Sequence, residues 1–211
     1  MMRLTMCRGL SATLAAAAAL LLSACSATPP LRFYTLAAPA AGAASQAAAQ
    51  PRSTAMFIDM MPVGVPERLT RPQLVVQSGG GRVDVLEQDR WSAPFNNELR
   101  DTLANGIAAQ LGAVDIRRGA RQAGPPVYRI AVDLRQFDAI EGDRVDAAFG
   151  WTVSRSDDGR AASCQLAFSV AVAGGGTPAL VAAMQQSVAT ATAAIVTTVG
   201  DLRSGNGTGC R

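Results

Sequence analysis

The sequence predicts an α/β domain on a mixed, partly antiparallel sheet with two main helices, and three observations lead there. Three segments between Tyr128 and Val170 alternate apolar and polar residues with period two, as strands with one covered face do. Two longer segments, near 95–111 and 178–202, repeat apolar residues at helical spacing. The order is strands, helix, strands, helix, which mixes the two kinds of element along the chain.

The chain opens with a leader. Arg3 and Arg8 form a charged start, residues 10–22 form an apolar stretch too short to span a bilayer, and small residues precede Cys25. Leu22-Ser23-Ala24-Cys25 is similar to the lipobox of bacterial prolipoproteins, in which the cysteine becomes the first residue and carries the acyl chains. One acyl chain binds a membrane marginally, whereas two or three hold firmly, because each buried methylene contributes about 0.8 kcal/mol. Residues 1–24 are therefore expected to be removed, Cys25 to be lipidated, and 25–30 to act as a short tether. Ser26, in place of Asp, points to the outer membrane and its periplasmic face.

The 187 residues that remain suit one domain, taken as 31–203, followed by a flexible tail at 204–211. Residues 31–36 read as a first strand. The Ala-rich stretch 37–52 is broken by Pro39, Gly42 and Pro51 and reads as a loop. Residues 54–61 form the next strand, and prolines keep 62–72 extended or turning. Strands 74–77 and 83–87 flank Ser78-Gly79-Gly80-Gly81, a hairpin signal. Ser92 is placed to cap a helix with Pro94 in its first turn, and Phe95, Leu99, Leu103, Ile107 and Leu111 mark the buried face. Gly106 falls on that face and permits a close approach, and Gly112 is placed to end the helix. Strands at 128–135, 145–153 and 164–170 form an antiparallel meander. The final helix, from Pro178 to about Leu202, buries Leu180, Met184, Val188, Ala191, Ile195, Val199 and Leu202.

Composition excludes much chemistry. All 19 basic residues are arginine and there is no histidine. That removes Ser-His-Asp and Cys-His pairs, His-containing zinc sites, Schiff bases and phosphate-loop lysines. After the leader is removed, 17 arginines face 16 acids, so nothing suggests a nucleic-acid partner. Asp138, Glu141, Asp143 and Asp146 around Gly142 fit no calcium loop and read as a solvated turn. Gly205, Gly207 and Gly209 have no helix after them to present a phosphate site. No catalytic residue, cofactor or metal is expected.

Two cysteines remain once Cys7 leaves with the leader and Cys25 is acylated. A bridge between Cys164 and Cys210 fits an oxidising compartment. Alternatively, Cys164 shares parity with Leu166 and Phe168 and is only a buried thiol.

Three segments carry a family resemblance: Arg32-Phe33-Tyr34-Thr35-Leu36 after the lipobox, Pro66-Glu67-Arg68-Leu69-Thr70-Arg71-Pro72 with the strand beyond it, and Asp89-Arg90-Trp91-Ser92-Ala93-Pro94-Phe95. Together they resemble the PqiC/YmbA family of ABC-type transport auxiliary lipoproteins. The resemblance implies a three-layer α/β/α fold with a mixed sheet. It implies a non-enzymatic subunit at the outer membrane, an MCE-domain protein as partner in intermembrane lipid transport, and a homo-oligomeric ring.

Within those segments Trp91 and Tyr34 are candidate partner anchors, aromatic residues being frequent contact hot spots, or else they pack and cap. Arg68, Arg71 and Arg90 are candidates for partner carboxylates or lipid phosphate, or else they pair locally with Glu67, Glu87 or Asp89. Other function classes stay open. They are a pilotin-like assembly lipoprotein for another outer-membrane complex, a two-carboxylate hydrolase, and direct lipid carriage in an apolar cavity.

Overall fold

The computed structural model describes residues 29–38, 56–116, 125–205 and 210. The leader, Cys25, most of the Ala-rich loop and part of the glycine string lie outside the described residues. Contacts divide the chain into Met1–Leu31, of which Pro29, Pro30 and Leu31 are described and exposed, and the unit Arg32–Arg211.

That second unit contains β1 (Arg32–Tyr34), β2 (Met56–Met60), β3 (Gln73–Gln77), β4 (Val83–Trp91), α1 (Phe95–Leu111), β5 (Ala113–Asp115), β6 (Val127–Ile140), β7 (Arg144–Arg155), β8 (Ala161–Ala171) and α2 (Gly176–Ser204). All eight strands join one sheet. Its spine is β6, whose fourteen residues serve two neighbours along one edge. The parallel strand β2 pairs near its start, with Ile58 opposite Tyr128 and Met60 opposite Ile130. The parallel strand β3 pairs at its end, with Gln77 opposite Ile140. β5 extends the first group, while β4 and then β1 extend the second. Along its other edge β6 pairs antiparallel with β7, and β7 pairs with β8, which is the expected meander.

The α/β class, the mixed sheet and the two main helices are those predicted. Phe95 of α1 packs on Phe137 of β6, with ring centroids 5.7 Å apart. The Trp151 indole of β7 donates to Thr198 Oγ1 of α2 at 3.0 Å. Phe137 and Trp151 belong to the same buried row, so both helices lie on one face. On the other face Arg129, Ala131, Asp133 and Arg135 are exposed. Among the described residues there is one helical layer, and the second layer implied by the resemblance is not among them.

Several boundaries differ from expectation for identifiable reasons. β4 runs on to Trp91 because residues 89–91 pair with β1. The register of β6 shifts between Leu134 and Gln136, so its buried row changes from Tyr128, Ile130, Val132 and Leu134 to Phe137 and Ala139. β5 has three residues and gave no periodic signal. α1 starts at Phe95 with Pro94 as its N-cap, and Ser92 donates to the Glu98 side chain instead of capping the helix. The free N–H groups of Asn97 and Glu98 are already taken by the Pro94 carbonyl at 2.8 and 3.1 Å.

The helices meet where the sequence placed Gly106. A Cβ there would stand 3.0 Å from Thr192 Cγ2, so the bare backbone sets the approach. α2 survives its buried hydroxyls because they return to the helix: Ser187 to the Ala183 carbonyl, Thr192 to Val188 and Thr198 to Ala194. It is long and apolar enough to cross a membrane, but half of its most apolar window is buried in the unit. Three of the four acids at the β6–β7 hairpin are held in place by arginines. Arg68 donates to Asp138, Arg144 donates to both Asp143 and Asp146, and Glu141 is exposed in the turn.

Candidate functional site

Of the residues singled out by the sequence, Tyr34, Arg90 and Trp91 meet where β1 pairs with β4, whereas Arg68 is held at Asp138 on β6. β1 is three residues long and cannot stabilise itself, so side chains from three other elements fasten it. In the parallel register Arg32 faces Asp89, Phe33 faces Arg90 and Tyr34 faces Trp91. Arg32 Nη2 donates to Asp89 Oδ2 at 2.7 Å, and this hydrogen bond raises the arginine pKa. The Asp89 carboxylate is 4% exposed, and its other oxygen has no partner among the described residues. Burial first, and then the hydrogen bond to Asp89, hold the Tyr34 pKa above its ordinary value; Thr177 of α2 also bonds the phenol. Tyr34 thus lies between β4 and the start of α2.

The chain just after β1 is held as firmly. Glu98, in the first turn of α1, accepts from the Thr35 hydroxyl at 2.7 Å, from the Leu36 amide at 3.1 Å and from Ser92. The amide of Ser92 donates to the Tyr34 carbonyl at 2.8 Å. Gln185 of α2 donates to the carbonyls of Thr35 and Ala37. Two of the motif segments are therefore halves of one clasp.

The candidate anchors separate by exposure. Trp91 is 5% exposed and packs on Phe95 at 5.2 Å, so of its two readings, anchor or packing residue, its burial fits the packing one. Tyr34 is half-buried and occupied by Asp89 and Thr177. Arg68 is committed to Asp138. Arg90 is half-buried, with its Nε enclosed and unpartnered among the described residues. Arg71 is exposed and bonds no other described residue.

Sequence reasoning missed two residues. Phe33 is 63% exposed, and it stands opposite Arg90, which in turn stands opposite Gln73. The only signal was the alternation of residues 32–35, which does not say which parity faces water. Arg100 is 8% exposed, bonding the Met60 carbonyl, Asp101 and Asp115. Burial opposes its charge, but the hydrogen bonds to Asp101 and Asp115 outweigh it and leave its pKa raised.

A hollow of about 530 Å³ lies on the open sheet face, lined by Asp133, Arg135, Gly150, Thr152, Ser163 and Gln165 among others. Arg135 reaches across it to Gln165 Oε1 at 2.8 Å. Ala131, Val132 and Trp151 line it together with these polar residues. Among the described residues no group of three acidic or cysteine side chains is placed to hold a metal.

Cys164 and Cys210 form a disulfide whose Cα atoms are 5.5 Å apart and 46 residues apart in sequence. Cys210 Sγ also lies 3.3 Å from the Ser163 carbonyl. The bridge ties the end of the chain to β8. Reduction is expected to lower unfolding stability by about 2–4 kcal/mol on the loop-entropy account. Denaturant midpoints with and without reductant measure this, and identical midpoints would contradict it.

Stability should respond to acid and be flat near neutrality. Asp146 is held below the ordinary carboxylate range by a hydrogen bond from Ser169 and then by Arg144; Asp84 by Ser78 and then Arg82; Asp158 by the Arg160 amide and then the Arg160 guanidinium. Depressed folded values give stability that is present above the unfolded pKa and lost as pH falls through the folded one. Loss is therefore expected below about pH 4. With no histidine in the chain, the midpoint should be constant from about pH 5.5 to 8. A sloping urea midpoint across that window would contradict the assignment.

A family profile described as "ABC-type transport auxiliary lipoprotein component" matches residues 34–196, from inside β1 to well within α2. The chain belongs to that family. This ABC-type transport auxiliary lipoprotein family is the one its sequence resembles, and the clasp opens the matched region. None of the curated proteins matches the chain. A solved structure described as an uncharacterized protein superposes with a TM-score of 0.62 at 17% identity, covering 81% of this chain and 99% of that one. Protein XCC0632 from Xanthomonas campestris gives 0.55 at 18% identity, covering 72% and 88%. At these identities the likeness concerns the fold.

Proposed function

We propose that this transport auxiliary lipoprotein is a non-enzymatic subunit of an MCE-type intermembrane lipid transport system. It is anchored to the periplasmic face of the outer membrane through acylated Cys25 and docks the transport conduit there. The family match supports the transporter part of this reading, and the lipobox supports the anchor. The observation that carries it is the clasp on β1. A domain held by a short lipidated tether bears any pull from its partner at the first strand, and that strand is fixed by Asp89, Glu98, Gln185 and Thr177.

Docking runs through exposed Phe33 and the half-buried Arg90 opposite it, with exposed Arg71 two residues before Gln73, the β3 partner of Arg90. Phe33 supplies an apolar anchor beside cations, the combination common at contact hot spots. Co-purification from native membranes with the MCE-domain protein tests the reading. Capture is expected from the wild type and to fall at least about tenfold for Phe33→Ala. Failure of the acylated wild type to capture that protein would overturn it.

A further inference from the structure

Three residues directly opposite one another cross the open face of the sheet. Asp133 of β6 pairs with Gly150 of β7, and Gly150 pairs with Gln165 of β8. Arg135 belongs to none of these pairs: it is the extra residue of the β6 bulge, and bulges re-aim a side chain. Its guanidinium lies over the bare backbone of Gly150, where a Cβ would stand 3.1 Å from Nη2 and 3.2 Å from Cζ and Nε. Nη1 donates to Gln165 Oε1 at 2.8 Å, and Nε lies 3.6 Å from Asp133 Oδ2. Asp133 is seated in the same way on Gly64, which bridges to it from the other edge of β6; a Cβ there would stand 2.6 Å from its Oδ1. One base and one acid thus rest on two glycines at the 530 Å³ hollow.

Both charges keep capacity for a ligand. Among the described residues Nη2 bonds nothing, and the Asp133 carboxylate meets only the distant Nε. The two side chains are 58% and 63% exposed, and an exposed pair at that distance contributes little, so a ligand that meets both charges displaces it at small cost. In the next row the hydroxyls of Thr152 on β7 and Ser163 on β8 share one hydrogen bond at 2.9 Å, which leaves one hydroxyl proton to give.

The charges select the ligand. A plain anion on Arg135 also meets Asp133, and a plain cation on Asp133 also meets Arg135, so each is attracted and repelled at similar range. A zwitterion satisfies both. The guanidinium over Gly150 and the Asp133 carboxylate belong to neighbouring strands, a step of about 4.8 Å. A single carbon separates the charges of an α-amino acid, whereas two carbons and an oxygen separate those of a phosphoethanolamine group and span that step. A tetrahedral phosphate also suits donors that arrive from two directions, the guanidinium and the hydroxyl row. Trp151 is the one aromatic residue in the lining and its indole is turned to Thr198 of α2, so the lining offers no ring for a sugar to stack on.

We infer that this hollow binds a phosphoethanolamine group, phosphate on Arg135 and ammonium on Asp133, whether the group is free or the headgroup of a lipid. The inference goes beyond the docking reading and does not rest on it. The probe is glycerophosphoethanolamine, added to the full-length protein in mild detergent while the Arg135 Nε–H resonance is followed. A saturable shift with a Kd of about 1–10 mM is expected, as exposed charges give. Inorganic phosphate and ethanolamine, each alone, should bind at least about threefold more weakly. Asp133→Asn should weaken the diester at least about threefold and bring inorganic phosphate level with it. Gly150→Ala displaces the guanidinium without changing a charge and should weaken the diester by a similar factor. Both variants should melt like the wild type; should Gly150→Ala melt lower, Asp133→Asn alone decides. Displacement of the diester by phosphatidylethanolamine in the micelles assigns the site to lipid headgroups, and its absence assigns it to the free group, either in support. No saturable shift, a wild type that takes phosphate as well as the diester, or an Asp133→Asn protein that keeps the wild-type order would overturn the inference.

Discussion

Replacing Cys25 with alanine is expected to move the protein from the membrane to the soluble periplasmic fraction and to abolish its labelling by palmitate. The effect should be nearly all-or-none, because attachment rests on acyl chains carried by a single residue. At about 0.8 kcal/mol per buried methylene, two or three chains separate lasting attachment from none. α2 is the one described helix apolar enough to cross a bilayer, and it is committed to the core by Leu180, Val188, Ile195 and Val199, each fully buried. Membrane fractionation after metabolic labelling measures the outcome. A Cys25→Ala protein that stays labelled and sediments with membranes would refute lipid anchoring and the docking reading together. A wild type that is labelled yet captures no MCE protein would refute only the second.

What the sequence made legible follows from how much of each element is set locally. The β6–β8 meander announced itself because one face is covered by helices and the other is open, so polarity alternates at every step. The bulge at Arg135 was invisible, since it exists only as an offset between Leu134 and Gln136 against β7. β1 was legible as a strand, but its pairing with residues 89–91 joins segments more than fifty residues apart, and the extension of β4 to Trp91 depends on that pairing. The same dependence governed the site. Tyr34, Arg90 and Trp91 stood out as residue types, yet which of them faces water is decided by the β1–β4 register and by Thr177 of α2. Arg100 sits beside Leu99 on a helix face that reads as half polar, and only the arrival of β2 and β5 buries it.

Phe137→Ala is expected to lower unfolding stability by about 3–5 kcal/mol, most of what a domain of this size possesses. Phe137 is 2% exposed and occupies the centre of an aromatic chain that crosses the molecule. Trp91 packs on Phe95 at 5.2 Å, Phe95 on Phe137 at 5.7 Å, Phe137 on Phe149 at 6.4 Å, and Phe149 on Phe168 at 6.4 Å. Deleting the central ring leaves a cavity between α1 and the sheet that the neighbouring rings, fixed on separate elements, cannot all move to fill. The loss is transmitted to the clasp, because Trp91 sits opposite Tyr34 and Phe95 opens the helix that carries Glu98. Phe33→Ala removes an aromatic ring of the same size from a position 63% exposed and should change stability by less than about 0.5 kcal/mol. Urea unfolding of the two variants side by side separates these roles. Equal losses would show that the ring at 137 does not join the helix to the sheet, and that exposure at 33 does not leave that residue free for a partner.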